Sequence, residues 1–127
     1  MKTLLQLLLL IILSSPSFAQ APVVLPVKEF EKGLQAKNAQ LVDVRTTAEY
    51  KQGFIPGAIN MDWLNEKQFQ EQAKKLNKQS PVYLYCLSGV RSGKAANWLL
   101  NNGFTQVINL DGGINAWKEA GKKLVTR

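Results

Sequence analysis

The sequence predicts an α/β fold: a single domain with a mainly parallel central sheet flanked by helices on both faces. Three observations carry this expectation. Apolar runs of strand length recur along the chain, segments of helical spacing separate them, and the runs are continuous blocks, as in strands buried on both faces.

Before the domain, Met1-Lys2-Thr3 sets a positive charge ahead of the apolar run Leu4 to Leu13, and Ser14 to Ala19 supplies small residues for cleavage. This is the pattern of a secretory signal peptide over residues 1–19, cut after Ala19, with the domain at 20–127. The apolar run is interrupted by Gln6 and falls short of the roughly 20 residues a spanning helix needs, so no stable membrane anchor is expected. Export would make the mature chain periplasmic, or secreted where the source lacks an outer membrane. Removing 19 of 127 residues leaves 108, enough for one modest core.

Val23-Val24-Leu25 forms a short edge strand, and Val27, Phe30, Glu31 and Leu34 sit at near-helical spacing in a segment closed by Gly33 to Asn38. Leu41 to Val44 is a buried strand with one conspicuous charge, Asp43, and Arg45-Thr46-Thr47 closes it. Glu49-Tyr50 belongs to a brief helical turn. Gly53 to Gly57 then breaks structure before Ala58 to Met61 resumes as a strand. Between Asn65 and Asn77, Phe69, Ala73 and Leu76 mark one apolar helical face. Val82 to Tyr85 is β-branched and aromatic enough for a central strand. The helix from Ser92 to Asn101 carries Ala95, Ala96, Trp98, Leu99 and Leu100 and stops at Gly103. Val107 to Leu110 is the last strand, and Gly112-Gly113 turns into a final helix with Ile114, Ala116 and Trp117.

Composition excludes several functions. Without the leader the chain has 15 basic and 9 acidic residues, which favours small anionic partners. The lysines are scattered, without the clustered arginines or interleaved aromatics of a nucleic-acid surface, so no nucleic-acid partner is expected. The sequence has no histidine and one cysteine, Cys86. A Cys/His dyad, a Ser/His/Asp triad, a histidine-containing zinc site and an internal disulfide are therefore all ruled out, and no metal or cofactor is expected.

Cys86 follows the central strand directly, at the carboxyl edge where ligands bind in such sheets. The segment Cys86-Leu87-Ser88-Gly89-Val90-Arg91-Ser92 reads as strand end, tight loop and helix start. Gly89 permits a backbone that turns successive N–H groups toward the sulfur, and the helix beginning near Ser92 points its positive end there. Ser92 also suits a helix N-cap. Arg91 is a cation beside the positive helix end, a mismatch that makes sense if its guanidinium folds over an anion. All three features favour thiolate, the reactive form of a thiol whose unperturbed pKa is about 8.5.

Four stretches in order resemble the rhodanese family: Asp43-Val44-Arg45, Gly53 to Asn60, Cys86 to Ser92, and Leu110 to Trp117. The resemblance runs from about Val27 to Trp117. It implies a sulfurtransferase in which Cys86 takes the outer sulfur of thiosulfate or a similar donor as a persulfide, then yields it to cyanide, a thiol or a protein. It further implies that Leu87, Ser88, Gly89, Val90, Arg91 and Ser92 hold the anionic donor, that Asp43, Arg45 and Glu49 tie the neighbouring loops structurally, and that the protein is a monomer. The six-residue loop from Cys86 to Arg91 is one residue shorter than in the related phosphatases and arsenate reductases, and the smaller cradle suits sulfur. Two departures stand out: Phe54 where the family often has histidine, and the apolar Leu87 where a basic residue often sits, which lowers the expected affinity for thiosulfate. A non-enzymatic persulfide carrier and a plain anion-binding module are the alternative readings.

Overall fold

Strands and helices alternate through residues 21–126, the part of the chain that the computed structural model describes. The predicted signal peptide lies outside these residues. The order is β1 (Val23–Leu25), α1 (Val27–Gly33), β2 (Gln40–Asp43), α2 (Thr47–Gln52), β3 (Ile59–Asn60), α3 (Glu66–Ala73), β4 (Val82–Tyr85), α4 (Val90–Asn101), β5 (Val107–Leu110) and α5 (Gly113–Glu119). The five strands form one sheet in the order β1-β5-β4-β2-β3, with every ladder parallel. β4 lies at its centre, as its composition predicts.

Alternation along β4 explains the two cores. Val82, Leu84 and then Cys86 face a cluster that includes Phe69 and Ala73 of α3 and Ala95, Ala96 and Leu99 of α4. Tyr83 and Tyr85 face the opposite cluster, with Phe30 of α1, Ile114 and Trp117 of α5, and Tyr50 of α2 against it. Both faces of the sheet are thus covered, and burial of each large apolar side chain contributes about 1.5–3 kcal/mol. Among the described residues no helix is long and apolar enough to cross a membrane.

The structure departs from the sequence reading at several element ends: β2 is shifted by one residue, to Gln40–Asp43, and three further elements depart for a local reason. β3 is only Ile59–Asn60, because Ala58 closes a turn onto Ile55 and the Asn60 amide bonds the Asp43 and Arg45 carbonyls. α3 begins after an Asn65 cap and stops at Ala73, while Leu76 still packs against the core from the following turn. Third, α4 starts at Val90, two residues before the expected Ser92. Gly89, at φ 110°, makes the sharp turn that a residue with a side chain would resist, so the helix begins immediately after it.

Candidate active site

The end of β4 places Cys86 at the carboxyl edge of the sheet, on the α4 side. It is buried there, 1 % exposed. The Gly89 N–H donates to Cys86 Sγ at 3.1 Å and the Ser92 hydroxyl donates at 3.3 Å. Ser92 therefore points inward from the first turn of α4 and does not cap it. Burial alone pushes the Cys86 thiol up, but the Ser92 hydroxyl and the backbone N–H groups of Ser92, Gly89 and Ser88 outweigh it and leave the thiol below its ordinary range. The twelve-residue α4 adds the positive end of its dipole.

Arg91 behaves differently from the sequence expectation. Its guanidinium is taken up by Glu49 in a two-pronged ion pair, Nη1 to Oε1 at 2.7 Å and Nη2 to Oε2 at 2.9 Å. What reaches Cys86 is the field of Arg91. Glu49 is fixed from below as well: it closes a capping box with Thr46 at the start of α2. The Arg91 guanidinium holds the Glu49 carboxyl down at about 2, against the upward push of burial and with help from Thr46.

Asp43 and Arg45 form a second, buried pair at the end of β2. Asp43 accepts from the Arg45 backbone N–H at 2.9 Å, from Nε at 3.0 Å and from Nη2 at 2.7 Å, and Nη2 also donates to the Gly53 carbonyl at 2.7 Å. Tyr85 joins this group: its hydroxyl accepts from the Ile55 N–H at 3.0 Å, and the Arg45 guanidinium lies over its ring at 5.8 Å. These contacts bind the β2 end, the 53–55 loop and the β4 end into one unit. Phe54, at the position of the family's frequent histidine, is buried and stacks on Tyr50 with centroids 4.1 Å apart. It is a packing residue in this chain.

Two supports have no role in the sequence reading. Asn109, buried on β5, donates from Nδ2 to the Gly89 carbonyl at 3.3 Å, and so holds the residue whose N–H faces the sulfur. A polar residue in the run Val107 to Leu110 is the sequence signal for it, the counterpart of Asp43 in β2. Gly113 brings the start of α5 against the back of the loop, where Ile114 N–H donates to the Cys86 carbonyl at 2.9 Å and Asn115 N–H to the Leu87 carbonyl at 3.2 Å. At its φ of 59°, a Cβ would lie 2.5–2.6 Å from the Leu87 and Cys86 carbonyl oxygens. Only glycine fits there.

A Rhodanese-like domain family model matches residues 26–120. This chain belongs to the rhodanese family. Over 90 residues it is 41 % identical to the protein named uncharacterized protein YqhL of Bacillus subtilis, covering 71 % of this chain and 68 % of that one. It is 36 % identical over 96 residues to thiosulfate sulfurtransferase GlpE of Shewanella oneidensis, covering 76 % and 92 % respectively. Another relative, tRNA uridine(34) hydroxylase of Chlamydia felis, is 34 % identical over 98 residues, but the match spans only 30 % of that protein. Among solved structures, the polysulfide-sulfur transferase homodimer of Wolinella succinogenes superposes with a TM-score of 0.69 at 29 % identity, covering 84 % of this chain and 80 % of that one. The rhodanese relatives thus include sulfurtransferases, and the mainly parallel α/β fold agrees with theirs.

Proposed function

We propose that this rhodanese is a sulfurtransferase whose nucleophile is the Cys86 thiolate. The observation that carries the reading is the pair of donors aimed at one sulfur, Gly89 N–H at 3.1 Å and Ser92 Oγ at 3.3 Å, at the start of a twelve-residue helix. Donors so placed stabilise a negative sulfur before and after transfer, since the terminal sulfur of a persulfide is also an anion. The thiolate attacks the outer sulfur of a sulfane donor of the thiosulfate type and the donor's S–S bond breaks, with its electron pair leaving on sulfite. The sequence has no histidine, and this step needs none because no proton moves. A thiophilic acceptor, whether cyanide, a small thiol or a protein thiol, then removes the terminal sulfur and regenerates the thiolate. The leader pattern at residues 1–19 supports action outside the cytoplasm, and a monomer is what the family resemblance implies.

Intact-protein mass after incubation with a sulfane donor tests this directly. A gain of about 32 Da, one sulfur atom, is expected on the wild-type chain, with thiocyanate formed on adding cyanide. Cys86→Ser should show neither. An equal gain in the serine variant, or no gain with any sulfane donor, would remove the covalent step and leave an anion-binding module. Sulfur gain without turnover would identify a carrier.

A further inference from the structure

Asn109 stands where an apolar residue would serve the core better. β5 is buried along its whole length, and its other members, Val107, Ile108 and Leu110, are apolar. Taking an amide out of water costs free energy unless its polar atoms find partners. Among the described residues the Asn109 Oδ1 has none, and Nδ2 bonds the Gly89 carbonyl at 3.3 Å. What Asn109 contributes therefore lies at Gly89.

Gly89 is a residue that packing does not hold. It has no side chain, and the space beside its Cα is open: a Cβ built there would meet the Leu110 carbonyl oxygen at 3.8 Å and the Gly112 nitrogen at 3.9 Å. Glycine leaves the peptide planes on either side of it free to rotate, so hydrogen bonds must fix them. The Gly89 carbonyl accepts from the Gly93 N–H at 3.0 Å and from Asn109 Nδ2, while the N–H of the same residue donates to Cys86 Sγ at 3.1 Å. These two bonds to the carbonyl differ in what they anchor it to. The Gly93 bond belongs to α4 and moves with that helix. Asn109 belongs to the sheet: it is paired with Leu84 of β4, two residues before Cys86. Its bond is the one that refers the Gly89 peptide to the strand carrying the sulfur.

We propose that Asn109 is a positioning residue for sulfur transfer: it ties the Gly89 peptide to the sheet, keeps the Gly89 N–H aimed at the Cys86 sulfur, and so sets how readily that sulfur attacks a donor. This deepens the Cys86 persulfide reading and rests on it. Stability and reactivity part company at this position. Asn109→Leu removes an amide whose oxygen has no partner among the described residues, and it leaves the Gly89 carbonyl its bond from Gly93, so no buried group loses its last partner. The folded state should be as stable as before, or more so. The Ser92 hydroxyl still donates to the sulfur, so reactivity falls without vanishing.

The test compares the wild-type chain with Asn109→Leu and Asn109→Val by thermal melting, by the pH profile of iodoacetamide alkylation at Cys86, the one thiol in the sequence, and by kcat/KM for thiosulfate with cyanide as acceptor. Both replacements are uncharged, so neither acts on the sulfur through space, and the smaller valine covers the case in which leucine overfills the site. The leucine variant should melt at or above the wild-type temperature. In both variants the alkylation inflection should move to higher pH by about half a unit, and kcat/KM at neutral pH should fall by about three- to tenfold, the weight of one hydrogen bond. The inflection decides. An inflection that stays in place in the folded variants overturns the positioning role, whether kcat/KM is unchanged or falls only as far as folded protein is lost. Failure of both variants to fold assigns Asn109 to the fold and overturns it too. If the wild-type chain takes up no sulfur on Cys86 from any sulfane donor, the persulfide reading itself falls, and the role in transfer with it.

Discussion

Cys86 shows how a single residue's reactivity is set by opposed effects of similar origin. Enclosure disfavours the charged sulfur, and the hydrogen bonds that enclosure makes possible favour it by more. Among the described residues Ser92 supplies the only side-chain donor to the sulfur, so its removal is the sharpest probe. In Ser92→Ala the Cys86 thiol should move up, and the rate of alkylation by iodoacetamide should rise through its inflection at a higher pH than in the wild type. Turnover at neutral pH should drop about tenfold for the loss of one charge-assisted hydrogen bond. The sign follows from the direction of the shift: a thiol held below its ordinary range is already thiolate where an ordinary one is not, and the variant forfeits that interval. Identical alkylation profiles would show that the Ser92 hydroxyl at 3.3 Å does not stabilise the thiolate.

Elements place these residues, and the start of α5 is the part most easily broken. Gly113 lets two N–H groups reach the Cys86 and Leu87 carbonyls, which fixes the backbone on which the sulfur is mounted. Gly113→Ala forces a Cβ against backbone at a positive φ, and neither neighbour can yield without moving the loop. The expected cost is about 2–3 kcal/mol in urea denaturation, with sulfur transfer falling further than the loss of folded protein explains. A variant that is destabilised but fully active would confine Gly113 to holding the fold. Sequence and structure divide here for physical reasons. The strand and helix order was legible because strands buried on both faces are unbroken apolar runs, and glycine or proline separates them. The candidate nucleophile stood out in the sequence because there is a single thiol, set at a strand end just ahead of the turn at Gly89. The partner of Arg91 was not: Glu49 lies 42 residues away, and nothing local in either segment announces the pairing. The early start of α4 was hidden too, since it depends on the left-handed turn at Gly89 and on Ser92 turning its hydroxyl toward sulfur.

At the scale of the whole molecule two fields of opposite sign act on an approaching anion. The full chain carries a formal charge of +7, from 16 basic and 9 acidic residues, and this attracts anionic donors from a distance. At the site the thiolate itself repels an anion, and the charge of Arg91 is matched by its ion pair with Glu49. Salt separates the two contributions, because the screening length shrinks from about 30 Å at 0.01 M to about 8 Å at 0.15 M ionic strength. The long-range attraction fades over that range, whereas groups in contact with the site remain within a screening length. Thiosulfate and a singly charged donor such as benzenethiosulfonate should therefore both react with lower kcat/KM as salt rises, and the doubly charged thiosulfate should lose more. Their ratio should widen by roughly two- to fivefold between those ionic strengths, since a dianion feels the lost attraction twice over. The measurement is the kcat/KM ratio at several sodium chloride concentrations at fixed pH. A ratio that narrows with salt would mean that thiosulfate gains from screening more than it loses, so that repulsion by the thiolate outweighs the attraction of the scattered lysines even at long range.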